Sequence, residues 1–518
     1  MSEWNGGYVA DVSYMDGFYP QQSPARMVLA ALLGGVSAEL PAQGDEVCYL
    51  ELGCGTGIGA LVTAAANPTW TVIAVDYNPA HIAAANAIGR AAGIENVRFL
   101  EADLATLAES PLGASIPAAD YVTMHGVWSW VGPAVRAGVV RLLSTRTRPG
   151  CLVHISYNSL PGWQGGIGLQ RLIFEAGKRA SSGRSDRRAE AGAALARELK
   201  AVGAYHLLDT ELAREIVDRT PTFPSAYLTH EYMNAHWSPA FHADVAAAMA
   251  EAKLDWAASA DPLQNFPALI LTPEQRETMD RYDDPVMQEL IKDICAQRGI
   301  RHDVYVRGSR RLTAERRDAE ISRLTLFPTV HARELVTTMD LPAGKAEVSD
   351  ALGRMMAVAL EAPATIGEIL ARGTGRGSAA ELAAMLVGSA QCQVAPKPEG
   401  EQPEPAHRLN RILGGRVTSL VSGQTSALAS GTLGTGLAAP ALLQFVVARL
   451  LNGEGEDDVE TWLSAMSGDI IPEKLDTVRK IIHATLEDKV PVLRRLGIVP
   501  GQADVMRERR ATPAPNVG

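Results

Sequence analysis

A glycine-rich turn with an acidic residue beside it is the segment of the sequence best suited to bind a small ligand. The run ELGCGTG, from Glu51 to Gly57, follows the apolar run VCYL and precedes an alanine-rich stretch. Glycines at the carboxyl end of a parallel strand let a cofactor approach the backbone closely. Glu51 stands directly before the first glycine, where a carboxylate suits a ligand that carries positive charge.

Two further acidic residues end the next two predicted strands. Asp76 ends the run WTVIAVD, 19 residues after Gly57, and Asp103 ends VRFLEAD. An acidic residue at about this spacing binds ribose hydroxyls. A carboxylate on the neighbouring strand can accept a hydrogen bond from an adenine amine. The glycines and the carboxylates therefore predict a site for a cofactor that contains adenosine.

A dinucleotide such as NAD is the alternative cofactor. The pattern GxGxxG from Gly53 fails because Ile58 stands at its third position, although GxGxxA fits Gly55, Gly57 and Ala60. A dinucleotide places its pyrophosphate at the helix N-terminus and does not call for an acidic residue directly before the glycines. The sequence therefore favours a cofactor with a cationic end.

Alternating strand and helix signals predict an α/β domain over residues 1–310 that positions these residues. Five apolar runs before residue 160, followed by LDWAASA and HDVYVRG, predict a Rossmann-like sheet of seven strands, mostly parallel. The helix-rich stretch at about 165–250 is expected to be an insertion that forms a lid or a wall on the acceptor side of the site.

The chain after residue 310 is expected to be mostly helical, separate from the sheet and able to dock a protein partner. Residues 311–395 predict a helix-turn-helix-like middle domain, 396–407 a Pro- and Glu-rich linker, 408–505 a C-terminal helical domain and 506–518 a disordered tail. The run VTSLVSGQTSALASGTLGTGLAAPALLQFVVA is too rich in Gly, Ser and Thr for a membrane span. It is expected to form helices joined by a loop.

Taken as a set, ELGCGTG, VDYNP and EADL resemble the class I S-adenosylmethionine-dependent methyltransferases over roughly residues 45–160. The resemblance implies S-adenosyl-L-methionine as the cofactor, with Glu51 beside its methionine end, Asp76 at the ribose and Asp103 at the adenine. The full set of expected cofactor-binding residues is Tyr14, Glu51, Gly53, Cys54, Gly55, Gly57, Asp76, Tyr77, Asp103, Leu104 and His125. For Tyr14 and Tyr19, packing of the N-terminal arm is the alternative role.

A narrower resemblance covers about residues 8–310. The runs HGVWSWV, YNSLPGW and YLTHEYMN are similar to bacterial methyltransferases that carry a methyltransferase regulatory domain, here at about 220–305. That group includes lysine methyltransferases that act on rickettsial outer-membrane proteins. The resemblance implies N-methylation of lysine in a protein partner, which could be an outer-membrane protein. A small-molecule acceptor, or a non-catalytic cofactor-binding interaction protein, remains an alternative.

The candidate catalytic residues follow the fourth and fifth predicted strands. His125 and Trp128 are expected to lie where acceptor groups meet the methyl group. The alternative role for Trp128 is packing in the apolar core. Tyr157 and Asn158 are expected to orient an acceptor amine, or else to stabilise a turn.

No metal site is predicted. The sequence holds four candidate ligands between residues 230 and 242, but their spacing does not match HExxH on a helix. They are expected to belong to the lid: His230, Glu231, His236 and His242.

Composition limits the partners and the cellular compartment expected for the protein. A net charge of −11 gives no overall attraction to nucleic acid. Five scattered cysteines without a CxxC pair argue against disulfides. No signal peptide or membrane-spanning segment is evident, so a cytoplasmic protein without membrane insertion is expected. A homodimer is possible, and the sequence does not decide the oligomeric state.

Overall fold

A seven-stranded sheet forms the centre of the computed structural model, which describes residues 6–12, 17–42, 44–373, 377–396, 402–417, 425–465 and 474–500. Its strands are β1 (Cys48–Leu52), β2 (Thr71–Asp76), β3 (Val97–Glu101), β4 (Ala119–Met124), β5 (Thr147–Asn158), β6 (Leu254–Ser259) and β7 (Ile300–Arg307). Their order is β3-β2-β1-β4-β5-β7-β6, in which β7 runs antiparallel to both neighbours. The predicted Rossmann-like sheet is confirmed.

Helices cover both faces of the sheet. They are α1 (Pro24–Leu33), α2 (Ile58–Ala66), α3 (Pro79–Ala92), α4 (Pro111–Ala114) and α5 (Pro133–Arg146). The first three share one apolar core with one face of the sheet, whereas α5 packs into a second core on the opposite face. Strand β1 is buried along its whole length because both of its faces are covered.

The helical insertion between β5 and β6 builds a small core of its own. It consists of α6 (Ile167–Arg179), α7 (Ser185–Ala201), α8 (Tyr205–Leu208), α9 (Glu211–Arg219) and α10 (Ser225–Tyr232). The next helix, α11 (His242–Glu251), packs into the α5 side of the sheet, so the insertion ends before the expected residue 250. Between β6 and β7 lie α12 (Pro267–Ile270), α13 (Pro273–Met279) and α14 (Pro285–Cys295).

The rest of the chain is mostly helical, as expected, with four small strand pairings added. Its helices are α15 (Ala314–Arg323), α16 (Asp350–Glu361), α17 (Ile366–Arg372), α18 (Ala379–Gly388), α19 (Glu404–Gly415), α20 (Ala441–Leu451), α21 (Val459–Ala465), α22 (Leu475–Asp488) and α23 (Val490–Arg495). Its strands are β8 (Thr325–Pro328), β9 (Thr338–Leu341), β10 (Gly344–Glu347), β11 (Ala364–Thr365), β12 (Cys392–Val394), β13 (Thr425–Ser430) and β14 (Thr435–Pro440).

Two local expectations for this part of the chain need correction. The Gly-, Ser- and Thr-rich run forms the hairpin β13–β14 before α20, instead of two helices joined by a loop. Small residues opposite each other let this hairpin lie close to α2. Helix α19 begins at Glu404, inside the expected linker. The expected tail, 506–518, lies outside the described residues.

No helix among the described residues is long and apolar enough to cross a bilayer.

Candidate active site

A cavity of about 440 Å³ lies at the carboxyl edge of the sheet. The structure brings together in its lining nine of the eleven residues expected to bind the cofactor: Glu51, Gly53, Cys54, Gly55, Asp76, Tyr77, Asp103, Leu104 and His125. Of the other two, Gly57 lies at the start of α2 outside the lining, and Tyr14 lies outside the described residues.

The glycine turn has a shape that larger residues would disturb. Gly53 has φ +74°, and a Cβ atom there would lie 2.3 Å from a methyl carbon of Val127. Gly57 has φ +77°, and its Cβ would lie 2.6 Å from the ring of Phe99. A Cβ on Gly55 would meet open space, because this glycine borders the cavity. Gly53 and Gly57 therefore shape the turn, while Gly55 leaves room for a ligand.

Asp76 is held at the end of β2 by backbone donors. Its Oδ2 accepts a hydrogen bond of 2.8 Å from the Gly55 N–H, and its Oδ1 accepts one of 2.8 Å from the Asn78 N–H. Nδ1 of His81 lies 3.2 Å from Oδ1. A carboxylate has about four acceptor positions, so these three contacts leave one of them available, and Asp76 lines the cavity. This arrangement fixes the carboxylate where a ribose hydroxyl can reach it.

Glu51 is a buried carboxylate that lines the cavity. Burial, and next the negative charge of Asp76, raise the pKa of Glu51 to about 8. Its Oε2 has no hydrogen-bond partner among the described residues. A buried, unpaired carboxylate oxygen is costly, and a cationic ligand would satisfy it. The lining therefore fits the cationic methionine end of S-adenosylmethionine.

Replacement of Asp76 by alanine is expected to weaken cofactor binding about 10- to 100-fold. Hydrogen bonds to a charged group contribute about 1.5–3 kcal/mol each, and 1.4 kcal/mol corresponds to a tenfold change in affinity. Calorimetry with S-adenosylmethionine measures the change. Asp76→Asn, which keeps an oxygen for the Gly55 N–H, is expected to lose less affinity. An unchanged affinity in the alanine variant would remove Asp76 from the site.

Three of the four expected catalytic residues do not line this cavity. Tyr157 is fully buried on the other face of β5, where its hydroxyl donates a 2.6 Å hydrogen bond to Asp303 on β7. Trp128 is buried in the core beneath α5, and Trp130 lines the cavity in its place. Successive strand residues point to opposite faces, so Tyr157 and Asn158 cannot both face the acceptor.

Asn158 lies beside a second, smaller cavity. Its side-chain Nδ2 donates a 3.0 Å hydrogen bond to Oε1 of Glu231 on α10. The small cavity, about 30 Å³, is lined by Glu231 but not by Asn158. Asn158 therefore holds another residue in place instead of facing the acceptor itself.

The fourth residue, His125, stands in the cavity wall and belongs to a cluster of three histidines. The ring of Tyr19 stacks on His125 with 3.4 Å between ring centroids. Behind it, His154 Nε2 lies 3.4 Å from His302 Nδ1, and one nitrogen from each of the three rings lies within 4.8 Å of the others. Burial lowers the pKa of all three histidines. Neutral imidazoles can ligate a metal ion, so these are the described residues suited to that role.

The four residues that sequence spacing singled out as metal candidates are not brought together. His230 hydrogen-bonds to the Val12 carbonyl, His236 lines the large cavity, and His242 lies 3.1 Å from Asp303. The sequence gives no signal for the three-histidine cluster, because its members lie on three different strands or strand ends. The sequence analysis did single out Glu231, in the run YLTHEYMN, but as a candidate metal ligand.

Comparison with known proteins defines the class. The methyltransferase domain family matches residues 50–153, and the predicted methyltransferase regulatory domain family matches residues 224–307. Together with the seven-stranded fold, these matches show that the chain carries a methyltransferase domain, whose cofactor is S-adenosylmethionine, and a methyltransferase regulatory segment. The cavity described above lies at the switch point of the sheet where such proteins bind ligands.

Individual relatives match over very different lengths. The Synechocystis protein sll1526 is 26% identical over 96% of this chain and 99% of its own length. The Rickettsia prowazekii protein RP028 is 33% identical over 24% of this chain and 47% of its own length. PKMT2 from Rickettsia typhi, solved in complex with AdoHcy, shares the fold over 93% of this chain and 99% of its own, with a TM-score of 0.66 and 15% identity.

Proposed function

We propose that this methyltransferase transfers the methyl group of S-adenosylmethionine to the side-chain amine of lysine in a protein. The observation that carries the proposal is the lining of the large cavity. One part of it, with Glu51 and Asp76, suits the cofactor, and another part is aromatic and includes Tyr8, Tyr19 and Trp130. Aromatic faces attract cations within about 6 Å. This lining suits an acceptor that arrives as an ammonium group.

The similarity to PKMT2 supports a related chemistry, since that protein was solved with AdoHcy and matches nearly the full length of this chain. The bound cofactor would supply the methyl group. The chain's own residues would hold the donor and the acceptor in line and exclude water, and such positioning accounts for much of the rate enhancement in reactions of this kind. The free cysteines agree with a reducing compartment, and we place the protein in the cytoplasm.

Incubation of the purified chain with S-[methyl-³H]adenosylmethionine and a bacterial lysate tests this function. We expect label in the protein fraction, and mass spectrometry should place the added methyl groups on lysine. Asp76→Ala serves as the matched control and should label far less protein at limiting cofactor. Label confined to small molecules would show that the acceptor is wrong, and the absence of any label would contradict the activity itself.

A further inference from the structure

A small cavity adjoins the cofactor cavity. It has a volume of about 30 Å³ and shares Tyr8, Gly126 and Trp130 with the larger one. Tyr227 and Glu231, both on α10, form other parts of its wall. A volume of this size holds one or two water-sized groups. An ammonium or methylammonium head has that size, whereas a nucleoside does not.

Glu231 is the acidic group of this small cavity. Its side chain is buried, and its Oε1 accepts hydrogen bonds from Asn158 Nδ2 at 3.0 Å and Trp237 Nε1 at 3.1 Å. No described residue donates a hydrogen bond to its Oε2, and no described cationic side chain forms an ion pair with it. A buried carboxylate normally has a cationic partner. Glu231 therefore has one oxygen fixed by neutral donors and one oxygen left for a ligand.

The groups around Glu231 favour a cationic ligand over an anionic one. The titratable side chains that face it are Tyr8, Tyr227, His230 and Tyr232. Burial, and next the charge of Glu231, raise the pKa of Tyr227 to about 12. Burial also raises the pKa values of Tyr8 and Tyr232. The tyrosines therefore stay neutral and offer aromatic faces to a cation.

We propose that Glu231 binds the acceptor amine of the substrate in this small cavity and takes up its proton. This inference rests on the proposed lysine methylation. The lysine ammonium would give one proton to Oε2 of Glu231, leaving a neutral amine with a free electron pair. That pair forms the bond to the methyl carbon while the carbon–sulfur bond breaks, and sulfur keeps the bonding electrons. The product amine carries the positive charge, and Glu231 later returns its proton to water.

Burial prepares Glu231 for this role, because removal from water raises the pKa of its carboxyl group. A raised pKa lies closer to the pKa of an amine, which makes the carboxylate a better proton acceptor. Asn158 and Trp237 act as positioning residues, since they fix Oε1 and so orient Oε2. The segment matched by the regulatory domain family thus supplies a residue that touches the substrate.

A Glu231→Gln variant of the full-length chain tests the proposal. Glutamine keeps an oxygen for Asn158 and Trp237 but cannot accept the proton. With lysate protein as the acceptor probe, methyl transfer is expected to fall about 100-fold or more, within the 10²–10⁴ range of general-base catalysis. Binding of AdoHcy, measured by calorimetry, should stay within threefold of the parent value. The exposed Glu251, in the same matched segment, provides the control Glu251→Gln, which should leave both quantities unchanged.

The pH dependence separates a chemical role from a structural one. Activity of Glu231→Gln should rise about tenfold per pH unit toward the ordinary lysine pKa of about 10.4, because solvent must then remove the proton. Asn158→Ala should lower turnover without producing that steep rise. A Glu231→Gln protein that binds AdoHcy and keeps half of the parent rate would overturn the proposal. If the parent chain itself labels no lysine, the proposed function fails, whichever result the variant gives.

Discussion

A Glu51→Gln variant is expected to be more stable than the parent protein and yet to bind S-adenosylmethionine more weakly. In the cofactor-free protein, burial and the nearby charge of Asp76 raise the pKa of Glu51 from 4.5 to about 8. The unfolded chain ionises this carboxyl near its ordinary pKa. Between these two values the folded state binds one proton more than the unfolded state.

The sign of the pH effect follows from that difference. Stability contributed by the protonated carboxyl is fully present below pH 4.5 and is lost as the pH rises toward 8, at about 1.4 kcal/mol per pH unit. Glutamine does not titrate, so the variant avoids the loss. Its gain in the free energy of unfolding over the parent should be small at pH 5 and about 3 kcal/mol at pH 7.

Urea unfolding at both pH values measures this gain, and calorimetry measures binding. The variant loses the negative charge that suits the cationic end of the cofactor, so its affinity should fall about tenfold or more. Glu101→Gln is the matched control, since Glu101 is an exposed acidic residue at the end of β3 and should show neither effect. An equal gain at both pH values would show that ionisation of Glu51 is not the cause.

The cofactor side of the site could be predicted because it depends on local sequence. Glu51, Asp76 and Asp103 each stand at or just after the end of a strand, and the carboxyl ends of neighbouring parallel strands meet at one edge of a sheet. Burial of the strands is visible as short apolar runs. These features require no knowledge of how distant parts of the chain pack.

The acceptor side could not be predicted because it depends on long-range contacts. Asn158 meets Glu231 across 73 residues, and His154 meets His302 across 148 residues. Tyr157, near the end of β5, points away from the cavity. Strand β5 pairs with the antiparallel strand β7, which places Asp303 within hydrogen-bond distance of the Tyr157 hydroxyl. Sequence spacing could predict that polar residues lie at the end of β5, but it could not predict which of them faces the cavity.

The sequence predicts a C-terminal region set apart from the sheet and suited to dock a partner, and the structure shows that the two are tightly packed. Side chains of α15 to α18 share one apolar core with α1, and α19 packs against α2 and α3. Hydrogen bonds cross the boundary as well: Arg26 donates to the Val387 carbonyl at 2.9 Å, and Asn67 donates to the Gly434 carbonyl at 2.8 Å.

A chain that ends at Arg310 is therefore expected to lose cooperative folding, and with it both methyl transfer and cofactor binding. Exposure of one buried apolar side chain costs about 1.5–3 kcal/mol, so exposing several of the α1 side chains in this core costs as much as the usual 5–15 kcal/mol of total stability. Solubility, urea unfolding and AdoHcy calorimetry measure the loss, and co-expression of residues 311–518 as a separate polypeptide should restore it. If the truncated chain unfolds cooperatively and binds AdoHcy like the parent, the shared core is not needed, and a docking role for the C-terminal region gains support. If it fails as expected, partner docking has to be tested by surface substitutions that leave this core intact.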